Sequence, residues 1–259
     1  MLKVAVVNQK GGVGKTTTCV NLGAELARQG HRVLIVDADP QGNASSSLGF
    51  DRGRDQGPTV YEVLCTSANP QTALRSTPVE GLSLMPATLL LAGAELELAT
   101  AIGRERLLTR KLQPLEDQFD LCLIDCPPSL GLLSVNAIVA ADRLLVPVQS
   151  EYFALEGLAL LAQTLRQLSD GLGRTVEMDD FLVTLVDERT LLAKDVVAEL
   201  RDAFGSRVFD QMVPRNVSLA EAPSRGLPIC LDAPKSSGAM AYHSLAKEVA
   251  ERWALGQKA

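Results

Sequence analysis

The chain has 259 residues, of which 46% are hydrophobic and 22% are charged, and its formal net charge is −6. It is long enough to bury a sizeable core, and its composition is ordinary for a soluble globular protein. The negative charge argues against a uniformly basic nucleic-acid binder, although a local basic patch still acts over about 10 Å at moderate salt.

The apolar and metal-ligating residues argue against two further classes of protein. No apolar stretch is long enough to span a bilayer, because the best candidate, 130–148, contains Asp142 and Arg143. With two histidines and no Cys-x-x-Cys pair among five cysteines, neither a zinc site nor an iron–sulfur cluster is expected. A strand pattern opens directly at Leu2, so we expect no signal peptide and predict a soluble, cytoplasmic protein.

The first element in chain order is an apolar run from Leu2 to Val7, followed by a glycine-rich segment and a helical pattern. Strand, glycine loop and helix is the arrangement that a phosphate-binding loop requires. Glycines let the backbone curl so that its N–H groups point at phosphate oxygens, and the positive end of the next helix adds to that field. The predicted nucleotide-binding residues are Gly11, Gly12, Val13, Gly14, Lys15, Thr16 and Thr17. Lys15 is expected to reach the β- and γ-phosphates, and the Thr16 hydroxyl to hold Mg²⁺.

This loop departs from the standard pattern GxxxxGK[ST] at its first glycine, where the chain has Gln9. A second lysine, Lys10, opens the loop instead, which gives the deviant pattern KGGxGK[ST]. The alternative for Lys10 is a surface lysine that happens to lie near the loop.

Strand and helix patterns alternate along the rest of the chain. We predict a helix end at Gly30, a weakly structured loop at 44–58, and strands at 32–36, 82–87, 119–128, 143–148, 181–186 and 208–213. Helices are predicted at 59–64, within 89–115, and at 154–168, 193–204 and 239–253. This alternation indicates a doubly wound, mostly parallel α/β sheet with helices on both faces, a P-loop NTPase formed as one domain over residues 1–259.

Acidic residues follow two of the predicted strands, and the carboxyl ends of parallel strands are where such sheets bind ligands. Asp125 ends an apolar strand, as does a Walker B acid that holds Mg²⁺ directly or through water. Asp39 is a candidate for orienting the attacking water, or as a second metal ligand, and Asp37 is a weaker candidate. The alternatives are that Asp125 caps a turn and that Asp39 is an ordinary turn residue before Pro40.

The chain resembles the ParA/Soj family of chromosome- and plasmid-partitioning ATPases over nearly its whole length. The resemblance lies in the segments 8–18, 36–44, 123–132, 147–157 and 213–223. Within the wider class of deviant-Walker ATPases, which also contains MinD, this branch is favoured by the stretches NQKGGVGKT and DCPPSLG.

The resemblance implies an Mg²⁺-dependent ATPase that forms an ATP-driven sandwich homodimer. Lys10 would cross the interface to the nucleotide of the other subunit, and Asp39 would be needed for hydrolysis beside Lys15. Asp125 would belong to the second switch with Pro127 and Pro128. The adenine would lie near Pro214, Arg215 and Asn216, and the dimer face near Glu151 and Phe153.

The resemblance also implies non-specific binding of double-stranded DNA on the nucleoid, and a ParB-like centromere-binding partner that stimulates hydrolysis. The basic candidates for phosphate contacts are Arg189, Lys194, Arg201, Arg225, Lys235 and Lys247. This chain has Ser237 where the family often has a basic residue, and the apolar pair Leu191 and Leu192 in a usually more polar stretch. For each candidate, a solvated surface charge is the alternative.

Four other functions remain open at this point. The same switch could position another cargo, such as a microcompartment or a chemoreceptor cluster. A MinD-like membrane role is less favoured, because the apolar stripe Leu245, Val249 and Trp253 is opposed by a face of mixed charge and is expected to pack on the core. A metabolic ligase of the dethiobiotin synthetase kind would need a small-molecule pocket, and an iron–sulfur carrier would need more cluster cysteines than Cys126.

Overall fold

Seven strands form one sheet in the computed structural model, which describes residues 1–51, 53–151, 154–187 and 189–256. The strands are β1 (Leu2–Val6), β2 (Val33–Asp37), β3 (Arg75–Ser76), β4 (Leu82–Met85), β5 (Leu121–Asp125), β6 (Arg143–Gln149) and β7 (Asp180–Thr184). Across the sheet they run in the order β3-β4-β2-β5-β1-β6-β7, and every neighbouring pair except β3 and β4 is parallel. The predicted doubly wound, mostly parallel sheet is confirmed.

Helices connect the strands and cover both faces. They are α1 (Lys15–Arg28), α2 (Asn43–Ser47), α3 (Val60–Cys65), α4 (Leu91–Glu97), α5 (Leu107–Leu112), α6 (Leu132–Ala140), α7 (Ala154–Leu172), α8 (Leu191–Phe204), α9 (Val217–Glu221), α10 (Ile229–Asp232) and α11 (Ser237–Arg252). Of the helices that the structure describes, none combines the length and apolar character needed to cross a bilayer.

The core is divided into two layers by the sheet. Successive side chains of a strand point to opposite faces: in β1, Val4 and Val6 pack with α1, α2 and α9–α11, whereas Ala5 packs with α3–α8. The central strands β2 and β5 are buried along their whole length, as expected for parallel strands covered on both sides. The stripe formed by Leu245 and Val249 of α11 and by Trp253 directly after it is buried in the first of these layers, so its predicted packing on the core is confirmed.

The prediction of a last strand at 208–213 is wrong. This segment meets β7 at two isolated bridges, Phe181 with Val208 and Val186 with Pro214. Between the bridges, the backbone N–H groups of Asp210 and Gln211 donate to the two carboxylate oxygens of Glu248 on α11, at 2.8 and 2.9 Å. Phe209 and Val213 still donate to the carbonyls of Phe181 and Val183 at 2.9 Å, and Glu248 interrupts the pairing between them.

The segment 44–58 is more ordered than predicted, because α2 lies at its start. Gly42 adopts a left-handed conformation, φ 66°, immediately before α2. The carboxylate of Asp37 accepts hydrogen bonds from the backbone N–H of Ser45 at 2.8 Å and from its hydroxyl at 2.6 Å. A buried acid at the end of β2 thus fixes a helix that the serine-rich sequence does not predict.

Candidate functional site

Three strand ends bring the predicted site residues together at one edge of the sheet. In the register of the central strands, Asp125 of β5 lies beside Val6 of β1 on one side and beside Asp37 of β2 on the other. The glycine loop leaves β1 after Val6, so it begins beside Asp125, with Asp37 one strand further across the sheet. The prediction that strand-end residues would meet here is confirmed for the loop, Asp37 and Asp125.

The loop itself is curled by glycines. Gly12 and Gly14 have φ values of 76° and 88°, in the left-handed region that residues with a Cβ rarely adopt. Helix α1 begins at Lys15, directly after Gly14. Since the N-cap position is a glycine, no side chain competes for the first N–H groups of the helix, which are suited to bind an anion.

A cleft of about 410 Å³ opens along the loop. It is lined by Gly11, Gly12, Gly14, Lys15, Thr16, Thr17, Asp39, Gln41, Asn43, Pro128, Thr184, Leu185, Val213, Asn216, Leu219, Ala220 and Tyr242. Of the predicted adenine segment, Asn216 lines the cleft, whereas Pro214 is bridged to Val186 and Arg215 is exposed. Asn216 is held by two hydrogen bonds, since its Oδ1 accepts from the Leu219 N–H at 3.2 Å and its Nδ2 donates to the Ser237 hydroxyl at 2.9 Å.

Lys15 is buried at the base of the cleft. Its ammonium donates to the backbone carbonyl of Lys10 at 3.1 Å, across the mouth of the loop. Burial lowers the pKa of Lys15, and the nearby carboxylates of Asp125 and Asp39 oppose that shift. A cation held in this way can neutralise a phosphate group without long-range rearrangement.

The hydroxyl of Thr16 donates to Oδ2 of Asp125 at 2.7 Å. Because its proton points at Asp125, the lone pairs of the same hydroxyl remain available to a cation. The other oxygen of Asp125, Oδ1, accepts from the thiol of Cys19 at 3.7 Å. Both oxygens of this fully buried carboxyl group are therefore held in place.

Asp37 and Asp39 have different surroundings. Asp37 is fully buried, and besides Ser45 its carboxylate accepts a hydrogen bond from the backbone N–H of Asp39 at 3.2 Å. Asp39 lines the cleft, and its Oδ1 accepts from the Gln41 N–H at 2.9 Å. Asp37 is thus placed to hold the segment that carries Asp39, and Asp39 to meet a ligand.

The chemistry of these residues fits a magnesium ion. Burial raises the pKa of Asp37 to about 6, and burial together with the neighbouring Asp37 raises the pKa of Asp125 well above its usual range. A bound cation would stabilise the charged form of carboxyl groups buried so close together. The oxygen donors of Thr16, Asp125 and Asp39 are the type that Mg²⁺ prefers.

Lys10 does not line the cleft of its own chain, although its backbone carbonyl accepts from Lys15 at 3.1 Å. Its ammonium lies 2.6 Å from a carboxylate oxygen of Glu151, and its backbone N–H donates to the side chain of Asn8 at 2.9 Å. The cleft-lining residues include Gly11 but not Lys10. Phe153, predicted beside Glu151, lies outside the described residues.

All six candidate DNA-contact residues are exposed. Three of them are in ion pairs: Arg189 with Asp187 at 2.7 Å, Arg201 with Asp210 at 3.6 Å and Arg225 with Asp232 at 2.8 Å. Among the ion pairs between described residues, none involves the other three, Lys194, Lys235 and Lys247.

Several residues that shape the cleft were not predicted from the sequence. Thr184 ends β7 and Leu185 follows it, and Tyr242 reaches the cleft from α11, where its hydroxyl lies 3.2 Å from that of Thr18. The available signal for Thr184 was its position at the carboxyl end of a predicted strand, which is the same signal that identified Asp125. For Tyr242 the linear sequence held no comparable signal.

Comparison with known proteins assigns this arrangement to a family. A family model described as an AAA domain (AAA_31) matches residues 1–178. The sporulation initiation inhibitor protein Soj of Bacillus subtilis is 49% identical over 247 residues, covering 95% of this chain and 97% of that protein. The chain belongs to the Soj/ParA family of chromosome-partitioning ATPases. A second relative, the chromosome-partitioning ATPase Soj of Thermus thermophilus, is 50% identical over 250 residues and 96% of each chain.

A solved structure extends this family likeness to the fold. The structure named cobyrinic acid a,c-diamide synthase of Mycobacterium smegmatis, solved with a bound ATP analogue and magnesium, is 40% identical and superposes with a TM-score of 0.82. The match covers 100% of this chain and 98% of that one. The ParA/Soj resemblance of the sequence and the P-loop NTPase fold are therefore both confirmed.

Proposed function

We propose that this protein is an ATP-dependent switch that partitions chromosomal or plasmid DNA by dimerising on ATP, binding DNA non-specifically and releasing it after hydrolysis. The proposal is supported by family membership, by the nucleotide-sized cleft and by the position of Lys10. The position of Lys10 is the observation that carries it: a lysine belonging to the loop motif lies outside the cleft of its own chain.

In this proposal the cleft binds ATP with Mg²⁺. Lys15 and the N–H groups of the loop contact the phosphates, and Thr16 and Asp125 hold the ion, with Asp39 as a further ligand or as the group that orients the attacking water. The ion would supply charge neutralisation at the phosphates. Asn216, with Pro214 and Arg215 in its segment, borders the adenine. The M. smegmatis structure, solved with an ATP analogue and magnesium, supports both cofactors.

The proposed dimer is inferred from the position of Lys10, which does not line the cleft of its own chain. A catalytic cation must touch the reacting phosphates, yet Lys10 is paired with Glu151 beside its own cleft. A second subunit docked over the cleft would bring its Lys10 to this nucleotide, and each subunit would complete the site of the other. Hydrolysis would then remove contacts that stabilise the dimer, so the nucleotide would control assembly.

DNA binding is assigned to exposed basic residues and therefore to phosphate contacts. Lys194, Lys235 and Lys247 are the stronger candidates, because Arg189, Arg201 and Arg225 already have carboxylate partners. A dimer doubles the basic surface and so neutralises more DNA phosphates. The slope with which the logarithm of DNA affinity falls against the logarithm of salt concentration is proportional to that number. A ParB-like protein is proposed as the stimulating partner and the nucleoid as the site of action.

The test is to measure oligomeric state and binding to a random-sequence duplex with ADP, with a non-cleavable ATP analogue, and with ATP, all in Mg²⁺. We expect a dimer and a DNA complex only with the triphosphates, and loss of the complex as salt rises. A protein that stays monomeric when saturated with the analogue contradicts the proposal. DNA binding that is indifferent to nucleotide, or absent at low salt, contradicts the partitioning role and leaves the ATPase.

Asp39→Ala provides the matched variant for this experiment. It removes the group proposed to orient water and leaves the loop and Lys10 in place, so the variant is expected to bind ATP, dimerise and remain on DNA longer than the wild type. If Asp39→Ala instead fails to bind ATP, Asp39 acts in nucleotide or metal binding. If the variant hydrolyses ATP at the wild-type rate, Asp39 has no role in hydrolysis.

Because the M. smegmatis protein is named a synthase, a metabolic ligase is a second function to be tested in the same assay. A ligase would release ADP in proportion to a carboxylic acid and an amine substrate and would ignore DNA. A partitioning ATPase would respond to DNA and to a partner, as would the same switch positioning another cargo. A MinD-like membrane role would need an exposed apolar face, and the apolar stripe of α11 is buried in the core.

A further inference from the structure

The carboxyl end of β7 contacts the phosphate loop, and the residue after it lines the cleft. Thr184, the last residue of the strand, is buried, and its hydroxyl donates to the backbone carbonyl of Val13 in the loop at 2.8 Å. The next residue, Leu185, lines the cleft and has φ 54°. We propose that this strand end sets the geometry of the cleft, with Thr184 as a positioning residue for the phosphate loop and Leu185 as an apolar wall for the nucleobase. The inference rests on the proposed binding of a nucleotide here.

The hydrogen bond from Thr184 determines the direction of a loop N–H. In a trans peptide unit the carbonyl and the N–H point to opposite sides. Holding the Val13 carbonyl against Thr184 therefore turns the N–H of Gly14 the other way, and Gly14 lines the cleft. Because glycine permits either orientation of a peptide unit, the loop sequence alone does not fix this direction.

Leu185 has a backbone conformation that is unfavourable for a residue with a Cβ. Val213 bonds the chain on both sides of Leu185, since its N–H donates to the Val183 carbonyl at 2.9 Å and its carbonyl accepts the Val186 N–H at 3.1 Å. Regular parallel pairing would use positions two apart, so the left-handed residue accommodates one extra residue, as in a β-bulge. It places Leu185 in the cleft wall with Val213 and Leu219, an apolar surface suited to a flat base.

Two pairs of variants separate these roles, with ADP and inorganic tripolyphosphate as probes in Mg²⁺. Thr184→Val removes the hydroxyl at nearly constant volume, and Thr184→Ser keeps it. We expect Thr184→Val to weaken both ligands about tenfold, because it leaves a buried carbonyl without its donor and frees the loop. Thr184→Ser is expected to bind both within about twofold of wild type.

The second pair is Leu185→Ala and Leu185→Gly. Both remove the apolar wall, so both are expected to weaken ADP several-fold and to leave tripolyphosphate unchanged. Leu185→Gly is expected to melt at a higher temperature than Leu185→Ala, because glycine adopts φ 54° without strain. This pair tests the proposal even if Thr184→Val fails to fold.

Thr59→Val is the control for general destabilisation, since Thr59 is a buried threonine that caps α3, an element with no cleft-lining residue. It should lower the melting temperature and leave both affinities at wild-type values. The inference is overturned if Thr184→Val behaves like Thr59→Val, or if Leu185→Ala weakens tripolyphosphate as much as ADP. Failure of the wild type to bind either probe would instead overturn the proposed nucleotide function.

Discussion

The ammonium of Lys10 lies 2.6 Å from a carboxylate oxygen of Glu151 in the same chain, and the two side chains are 45% and 47% exposed. Exposed ion pairs of this kind contribute less than about 1 kcal/mol. The pair therefore holds Lys10 near the cleft only weakly. In the proposed dimer, breaking this pair so that Lys10 can reach the second subunit would cost little free energy.

Lys10→Gln is expected to separate nucleotide binding from hydrolysis. Since Lys10 does not line its own cleft, ADP affinity should stay within about threefold of wild type, while partner-stimulated hydrolysis falls about a thousandfold or more, in the range lost with a catalytic cation supplied from outside. Equilibrium binding of ADP and steady-state phosphate release measure the two effects. Lys15→Gln is the matched control, since it removes a cleft lysine and should abolish binding itself. Equal loss of affinity in both variants contradicts the different positions assigned to these lysines.

Glu151→Gln is expected to favour dimerisation. Removing the charge frees Lys10 from its pair in each of the two subunits, and two pairs worth less than about 1 kcal/mol each can shift the dimer dissociation constant by no more than about thirtyfold. Sedimentation with a non-cleavable ATP analogue gives that constant for the variant and the wild type. A large loss of dimer in Glu151→Gln would show that Glu151 itself makes a contact across the interface.

Glu248→Ala is expected to destabilise the protein by about 1–3 kcal/mol, because the backbone N–H groups of Asp210 and Gln211 lose their acceptors. The same carboxylate accepts from Arg252 at 2.8 Å, which adds to the loss. Denaturant unfolding of the nucleotide-free protein measures the change. Glu248→Gln keeps one acceptor oxygen and should lose about half as much. If Glu248→Ala is as stable as wild type, residues 208–213 do not depend on the hydrogen bonds to Glu248.

The buried thiol of Cys122 predicts a loss of stability at alkaline pH. Burial raises the pKa of Cys122 to about 12, whereas an unfolded cysteine titrates near about 8.5. The folded state thus keeps a proton that the unfolded state releases, so stability is full below about pH 8.5 and is lost as pH rises toward 12, at about 1.4 kcal/mol per pH unit.

Cys122→Ala should remove that slope from the curve of unfolding free energy against pH between about pH 9 and 11. The contributions of the other titrating groups to this curve cancel when the variant is compared with the wild type. Leu34→Ala, at the position paired with Cys122 on the neighbouring strand, is the packing control and should lower the whole curve without changing its slope. Parallel curves for Cys122→Ala and wild type would show that this thiol ionises equally in both states.

The parallel strands and the phosphate loop could be predicted because their signals are local, whereas the two-residue β3 was not predicted. Apolar runs mark β1, β2 and β5, and the spacing of glycines before Lys15 marks the loop. Asp125 was found for the same reason, since an acid after a buried strand lies at the ligand edge of a parallel sheet.

What the sequence did not predict depends on contacts between distant residues. Residues 208–213 have a strand-like pattern, but Glu248 takes two of their hydrogen bonds. The short helix α2 depends on Asp37, eight residues before Ser45, and the orientation of Val13 depends on Thr184, 171 positions away. Residues of this kind carry no motif of their own, because their partners become neighbours only in the folded chain.

Both margins of the sheet end in short or irregular pairing. On one side the two-residue strand Arg75–Ser76 runs against β4, and on the other the segment 208–214 touches β7 at two points. A long, regular outer strand would offer a foreign chain a row of unpaired groups to add to. In the part of the chain that the structure describes, neither margin offers such a template. Uncontrolled fibre growth by strand addition is therefore disfavoured, even at the high local concentration that the proposed binding to DNA would create.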